Sequence, residues 1–218
     1  MNNLLSRFIF ILSMLPALSQ AQKINLQKLL ADGKIDAQPN QNVTALNDDK
    51  YHGISGTGIM WLKNMSFTTG SIDVDIHGKN VFQQSFPGIA FHCVDGKTYD
   101  CIYFRPFNFQ SPDTLRRKHT VQYISEPDFS WEKLRNEHPL VYENAVPASL
   151  KPTEWFHAHI VVTAGEVIVY VNHNALPSLT IKKLNARTDG MIGLWNDGLN
   201  GDFANLEIKN STKWNYAY

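Results

Sequence analysis

Residues 66–77 read SFTTGSIDVDIH. Ile72, Val74 and Ile76 alternate with Asp73, Asp75 and His77, so a period of two sends three aliphatic side chains to one face and three polar ones to the other. That pattern is a strand with one buried face. The same period recurs on both sides of it, with further strands expected at 59–62, 88–94, 99–106, 119–125, 155–163, 167–172, 179–182, 190–195 and 203–209. Turn pairs such as Asp95-Gly96, Gly165-Glu166 and Asp189-Gly190 separate them. Many short strands with almost no helical pattern predict an all-β fold, a two-sheet antiparallel β-sandwich. Only residues 23–50 read differently, as a weakly amphipathic KINLQKLL followed by the turn-rich DGKIDAQPNQNV.

The chain opens MNNLLSRFIFILSMLPALSQA, with Arg7 ahead of a short apolar run and small residues, Ser19 and Ala21, where a signal peptidase reads. A secretory signal cleaved after Ala21 is expected, leaving one domain over 22–218, exported to the periplasm or outside the cell. The apolar run is too short to span a bilayer, and no Cys near the cleavage site offers a lipid anchor. Removing Arg7 from 20 basic residues leaves 19 against 20 acidic ones, a net charge of −1. A strongly basic nucleic-acid-binding face is therefore excluded. Aromatics make up 11% of the chain, which suits ring stacking against sugars.

The spacing breaks once, at residues 126–154. That stretch carries Pro127, Pro139, Pro147 and Pro152 and one plausible helical turn at 131–137. Connections of this length are usually lids or binding loops, well beyond the roughly 4–6 residues of an ordinary link. Phe129, Trp131, Leu134, Leu140 and Tyr142 give it much to bury, and it is expected to pack beside the loop of residues 107–117. In that loop, Arg116 and Arg117 read as solvated, with one of them available to hold the lid through Glu132, Glu137 or Glu143.

The hairpin around Asp95-Gly96 sets the phase of the neighbouring strands. A four-residue loop at 95–98 places Phe91 opposite Ile102 and Ile89 opposite Phe104, all toward the core. Cys93 then falls on the core face and Cys101 on the other, which disfavours a disulfide between them. With this phase, Asp73, Asp75, His77, His92, Tyr103, Arg105, His157, His159, Trp195, Asn205 and Glu207 point away from the core, joined by Gln122 or Tyr123.

Each candidate has an ordinary alternative. Asp73 and Asp75 suit a solvated sheet face. His157 and His159 could ligate a metal, but spacing supplies no third ligand, so no metal and no cofactor is expected. Arg105 is either a functional cation at a strand end or an ion pair to a loop carboxylate. Trp195, beside Asn196-Asp197-Gly198, is either a stacking platform or packing beneath the lid. Glycoside hydrolysis would need two carboxyl groups on one face, and no spacing selects a pair.

The segments WFHAHIVVTAGEVIVYVN and GMIGLWNDGLNGDFANLEIK resemble the closing strands of concanavalin A-like, laminin-G-like jelly rolls. GSIDVDI and GIAFH…YDCIYFRPFNF resemble the 3-keto-disaccharide hydrolase domain family of exported bacterial proteins, over roughly residues 54–209. The chain departs from the laminarinase-like glucanases of the same fold, whose active strand reads E-x-D-x-x-E, because Asp73-Val-Asp75-Ile-His77 lacks both glutamates.

The resemblance implies a glycoside-hydrolase-like protein that removes a proton beside a sugar ketone and then eliminates the glycosidic oxygen. In that scheme Arg105 polarises the ketone, and Glu143, Asp197 or His92 is the base. Trp195, Tyr103, Asn108, Gln122, Tyr123 and Trp131 would contact the saccharide. Two rival expectations remain, a binding-only, lectin-like domain and an adhesive module. The enclosed segment 126–154 favours a pocket, and the missing catalytic motif favours binding.

Overall fold

A computed structural model describes residues 21–38 and 41–211, so all of the expected secretory segment except Ala21 lies outside the described residues. The described chain begins with β1 (Gln22–Ile24) and α1 (Leu26–Ala31), whose cap Asn25 accepts a hydrogen bond from the Lys28 N–H. Two short strands, β2 (Ile35–Asp36) and β3 (Thr44–Ala45), pair with the long β4 (Gly53–Phe67). Next come β5 (Gly70–His77), β6 (Ser85–Cys93) and β7 (Tyr99–Phe104), then a 3-10 turn at Pro106–Asn108. A helical turn, α2 (Thr114–Arg117), leads into β8 (Val121–Glu126). After α3 (Trp131–Glu137) and β9 (Glu143–Asn144) come β10 (Phe156–Val162), β11 (Glu166–Val171), β12 (Leu179–Lys182) and β13 (Gly190–Asn210).

The strands follow the order β12-β11-β10-β5-β13-β6-β7-β8-β9, bent into two antiparallel layers. The crossing is made by β13. Its second half, Asp202–Asn210, pairs with β5, and its first half, Met191–Gly198, pairs with β6. β4 runs beside it through both layers, and the register between them shifts between Asn196 and Gly201. At this bend Gly198 has φ +90°, and a Cβ there would meet the Gln84 carbonyl oxygen at 2.4 Å, so glycine is required. The fold is the two-sheet jelly-roll sandwich expected from the alternation.

Strand boundaries differ from the sequence reading: the expected strand at 59–62 extends over Gly53–Phe67, short strands β1, β2, β3 and β9 lie in stretches where no strand was expected, and two other strands are divided or joined. The expected strand at 66–77 is divided by a bend at Thr68-Thr69 between β4 and β5, and the expected strands at 190–195 and 203–209 are one bent strand. Alternation marks which face a side chain takes but does not register a turn or bend that keeps the same phase.

Ile72, Val74 and Ile76 of β5 and Ile160 of β10 meet Ile89, Ile102 and Phe104 of the other layer in one fully buried core. The two layers touch through Phe104 and Phe156, with ring centroids 4.9 Å apart. A smaller cluster of Ala90, Cys101, Tyr103, Ile124 and Leu134 lies on the outer side of the β6–β8 layer, covered by α3.

The β6–β7 hairpin is paired two residues away from the expected register. Ile89 faces Ile102, and Phe91 faces Asp100. A slip of two preserves the faces, so Ile102 and Phe104 remain in the core while Tyr103 and Arg105 point outward. The apolar rule fails here because Asp100 is fully paired inside the core. Its carboxylate accepts from the Tyr123 hydroxyl at 2.7 Å, Asn185 Nδ2 at 2.6 Å and Arg187 Nη2 at 3.0 Å, and His92 Nδ1 lies 3.3 Å away. Burial alone would raise the Asp100 pKa, but hydrogen bonds from His92 and Tyr123 and the charge of Arg187 hold it below the ordinary value.

His92 and Tyr123, both expected as site candidates, belong to this network. His92 has φ +53° at an irregularity in β6, which turns its ring inward to stack on Phe67 and bond the Thr68 carbonyl oxygen at 2.6 Å. The expectation that it faces outward is overturned. Tyr123 also points inward, so Gln122 is the outward member of that pair. Cys93 and Cys101 are both free thiols.

Removing the Asp100 carboxylate leaves Arg187 and three further donors without their acceptor. Asp100→Ala is expected to lower unfolding free energy by about 3–5 kcal/mol in urea titrations, with Asp100→Asn intermediate.

Candidate functional site

Strand register assembles the site. Trp195 of β13 pairs with Gly88 of β6, Gly88 with Tyr103 of β7, Tyr103 with Gln122 of β8, and Gln122 with Glu143 of β9. Directly opposed residues of antiparallel strands share a face, so these five form one row across the outer face of the layer. Gly88 supplies the gap in the row. A Cβ there would lie 2.6 Å from the Tyr103 Cβ, and without it the Trp195 and Tyr103 rings approach to 5.0 Å.

Above this row opens a cleft of about 670 Å³, bordered by Phe86, Tyr103, Arg105, Asn108, Trp131 and Trp195, with His119, Arg135, Glu126 and Asp197 among its polar lining. Segment 126–154 therefore bounds the same cleft as the 107–117 loop, as the sequence suggested. α3 turns Trp131 and Arg135 to it from positions four apart, with the Arg135 guanidinium carbon 5.1 Å from the Trp131 ring centre. Ser130 caps this helix by accepting from the Lys133 N–H.

Arg105 sits at the end of β7 and is only 5% exposed. Its Nη2 donates to the Tyr103 hydroxyl and Gln122 Oε1, and its Nη1 donates to the His119 carbonyl oxygen at 3.0 Å. The guanidinium carbon lies 4.8 Å from the Tyr103 ring centre, a cation–π approach. Burial draws the Arg105 pKa below its ordinary value, while Tyr103 and Glu143 act in the opposite direction. Burial also pushes the Tyr103 phenol and the Glu126 carboxyl upward.

Glu143, expected as a base, is 2% exposed and lies behind Arg105. Arg135 grips both its oxygens, at 3.1 and 2.7 Å, and Arg105 Nη1 lies 3.7 Å away. Glu143 is thus engaged by two guanidinium groups and does not line the cleft, which suits holding its neighbours in place. The lid is tied to the sheet by Arg135, and neither Arg116 nor Arg117 takes that part: Arg116 lies over the Phe82 ring and Arg117 bonds the Ser111 carbonyl oxygen.

The residue that the sequence reading missed is His119. Its Nδ1 lies 2.8 Å from Glu143 Oε2, off the line of a well-directed hydrogen bond. Burial lowers its pKa more than the neighbouring Glu143 raises it, which leaves a neutral imidazole at the cleft wall. No local spacing pairs His119 with Glu143; the lid segment brings them together.

The other expected contacts divide as follows. Trp195, Tyr103, Asn108 and Trp131 line the cleft, Gln122 supports Arg105 from beneath, and Asp197 stands exposed at the rim. Asn108 is 5% exposed, and its Oδ1 accepts no hydrogen bond among the described residues. Asp73, Asp75, His157 and His159 lie elsewhere, on the outer face of the opposite layer, where His157 faces Asp75 and His159 faces Asp73. His157 bonds Asp75 at 2.8 Å and His159 bonds Asp73 at 2.7 Å. No group of three or more His, Cys, Asp or Glu suited to a metal ion occurs among the described residues.

No family model matches the chain, and no curated protein matches it. Solved structures do match. The carbohydrate-binding module CBM66 from Bacillus subtilis aligns with a TM-score of 0.53 at 14% identity, covering 77% of this chain and 92% of that one. A Bacillus subtilis protein of unknown function with a galectin-like fold aligns with a TM-score of 0.54 at 12% identity, covering 88% and 98%. At such identities the likeness is one of fold.

Two outcomes follow from this geometry. Gly88→Ala forces a methyl against Tyr103 and is expected to cost about 1–3 kcal/mol in chemical unfolding. The near-ultraviolet circular dichroism of the coupled Trp195 and Tyr103 rings should change with it. On the opposite face, hydrogen bonds that His157 donates to Asp73 and Asp75 raise its pKa to about 9. A raised His pKa contributes stability that is full below its unfolded value and is lost as pH rises through the folded one. The melting-temperature advantage of wild type over His157→Gln should therefore shrink between pH 7 and 10.

Proposed function

We propose that the protein is carbohydrate-active, and that its cleft binds a saccharide and cleaves a 3-keto glycoside by elimination. The observation that carries this reading is one grouping: an aromatic wall of Trp195 and Tyr103, the buried cation Arg105, and the neutral His119 beside buried Glu143. Aromatic faces suit the C–H surfaces of sugar rings, and the unpaired Asn108 Oδ1 suits a hydroxyl donor. The fold is shared with a module whose name states that it binds carbohydrate.

In this mechanism the ketone oxygen lies against Arg105, and His119 removes the proton from the carbon between the ketone and the anomeric carbon. The Glu143 carboxylate 2.8 Å from Nδ1 repels a lone pair there, so in this mechanism Nδ1 carries the N–H and Nε2 takes the proton. The C–H electron pair moves into an enolate whose negative oxygen Arg105 stabilises. Collapse of the enolate forms a carbon–carbon double bond and breaks the glycosidic C–O bond. The leaving oxygen takes the proton from His119, and water adding across the double bond completes the hydrolysis. Glu143 is a positioning residue here, and no pair of free carboxylates is required.

Binding without turnover is the second reading. It is favoured by the engagement of Arg105, three of whose N–H groups already have protein acceptors, out of the five that a guanidinium carries. Such an arginine orients a hydroxyl as readily as it stabilises an enolate.

The two readings separate when the protein is incubated with a 3-keto-glucoside and with its unoxidised parent and free sugar is measured. Release from the keto sugar alone is expected, falling by about 100-fold or more in His119→Gln. Thermal stabilisation by either sugar without release would sink the elimination and leave binding; neither effect would sink both.

A further inference from the structure

The cleft does not end at its aromatic wall. A second groove of about 590 Å³ adjoins it, and Phe82, Phe107 and Arg116 line both. Beyond those shared residues the groove is lined by polar side chains, Asn80, Gln110, Ser111, Lys151 and Thr153, and by two prolines.

A chain of rings connects the two spaces. From Trp195 the centroid steps run 5.0 Å to Tyr103, 6.1 Å to Phe86, 5.4 Å to Phe107 and 5.6 Å to Phe82. The last three steps are edge-to-face, at interplanar angles of 68°, 86° and 83°, so successive rings present faces in alternating directions along the path. Phe82 ends the track 48% exposed, with the Arg116 guanidinium carbon 4.5 Å from its ring centre. A large apolar side chain this exposed, inside a lined groove and backed by a cation, is better placed to meet a ligand than to close a core.

Resting on the saccharide reading of the inner cleft, we propose that the outer groove is a second saccharide subsite, and that the ligand is an oligosaccharide longer than a disaccharide. Its inner end lies against Trp195, Tyr103 and Arg105. The following units cross Phe107 and Phe82 and meet Gln110, Lys151 and Thr153 through their hydroxyl groups. The polar lining of the groove suits a hydroxyl-rich chain, and its rings suit one with apolar C–H faces.

The probes are linear gluco-oligosaccharides of one to six units in α-1,4, β-1,3 and β-1,4 linkage, measured by isothermal titration calorimetry. In at least one series, affinity should rise ten-fold or more from two units to four. Thr153→Trp fills the outer groove from an exposed position remote from Arg105 and His119. It should abolish that rise while leaving disaccharide affinity as in wild type, and Phe82→Ala should reduce the rise. Affinity level beyond the disaccharide in every series, or a rise that survives Thr153→Trp in a variant with wild-type circular dichroism, would overturn the subsite and leave the inner cleft standing. Absence of binding at every length would likewise overturn the subsite, while the inner cleft stands or falls on release of sugar from the 3-keto-glucoside.

Discussion

Trp195, Tyr103, Gln122 and Glu143 stand side by side because β13, β6, β7, β8 and β9 are held in one hydrogen-bonded register. In a pleated sheet a shift of one residue in any of these strands would move its member of the row to the opposite face. The register is protected from beneath. Ile89, Ile102, Phe104 and Tyr123 project from the same strands into the core, so a one-residue slip would expose them and bury the polar row. The energy that fixes the cleft floor is thus largely hydrophobic burial on the other side of the sheet. The site inherits its precision from residues that do not line it.

On that floor a second constraint operates, the burial of Arg105 against Glu143. Neither group is more than about one-twentieth exposed, and each is surrounded by further partners: Tyr103, Gln122 and the His119 carbonyl oxygen for Arg105, Arg135 and His119 for Glu143. Breaking such a network by removing one charge costs more than the network contributes relative to an apolar core. The long lid is fastened at this point. Arg135 comes from α3 and Glu143 from β9, both within the stretch that has the fewest pattern signals in the sequence. The same Glu143 meets both Arg135 of the lid helix and His119.

Much of this is legible in the chain itself. The alternation at 71–77 marked the sandwich, the outward phase of Tyr103 and Arg105 held even though the hairpin is paired two residues away, and α3 falls where a helical turn was expected. What misled was the treatment of polarity as a guide to exposure. His92, Asp100 and Tyr123 satisfy one another inside the core, a solution that depends on Asn185 and Arg187 arriving from 85 and 87 residues away in sequence. Nor does the alternation say which outward-facing residues share a layer. Asp73, Asp75, His157 and His159 form a hydrogen-bonded set on one outer face, and Arg105 with Trp195 lies on the other.

The sequence by itself determined the periodicity, and with it the all-β class, the inward direction of the alternating aliphatic residues and the outward direction of Arg105. Those properties are local, since a strand's face is set by the geometry of its own backbone. The tertiary structure alone decided which outward residues meet. That Glu143 is held by two arginines, that His119 takes a place beside it, and that Trp195 reaches Tyr103 across a glycine all depend on pairings between distant segments. Side-chain chemistry is written along the chain, but proximity is fixed only when the sheet closes over its core and the lid folds onto the sheet.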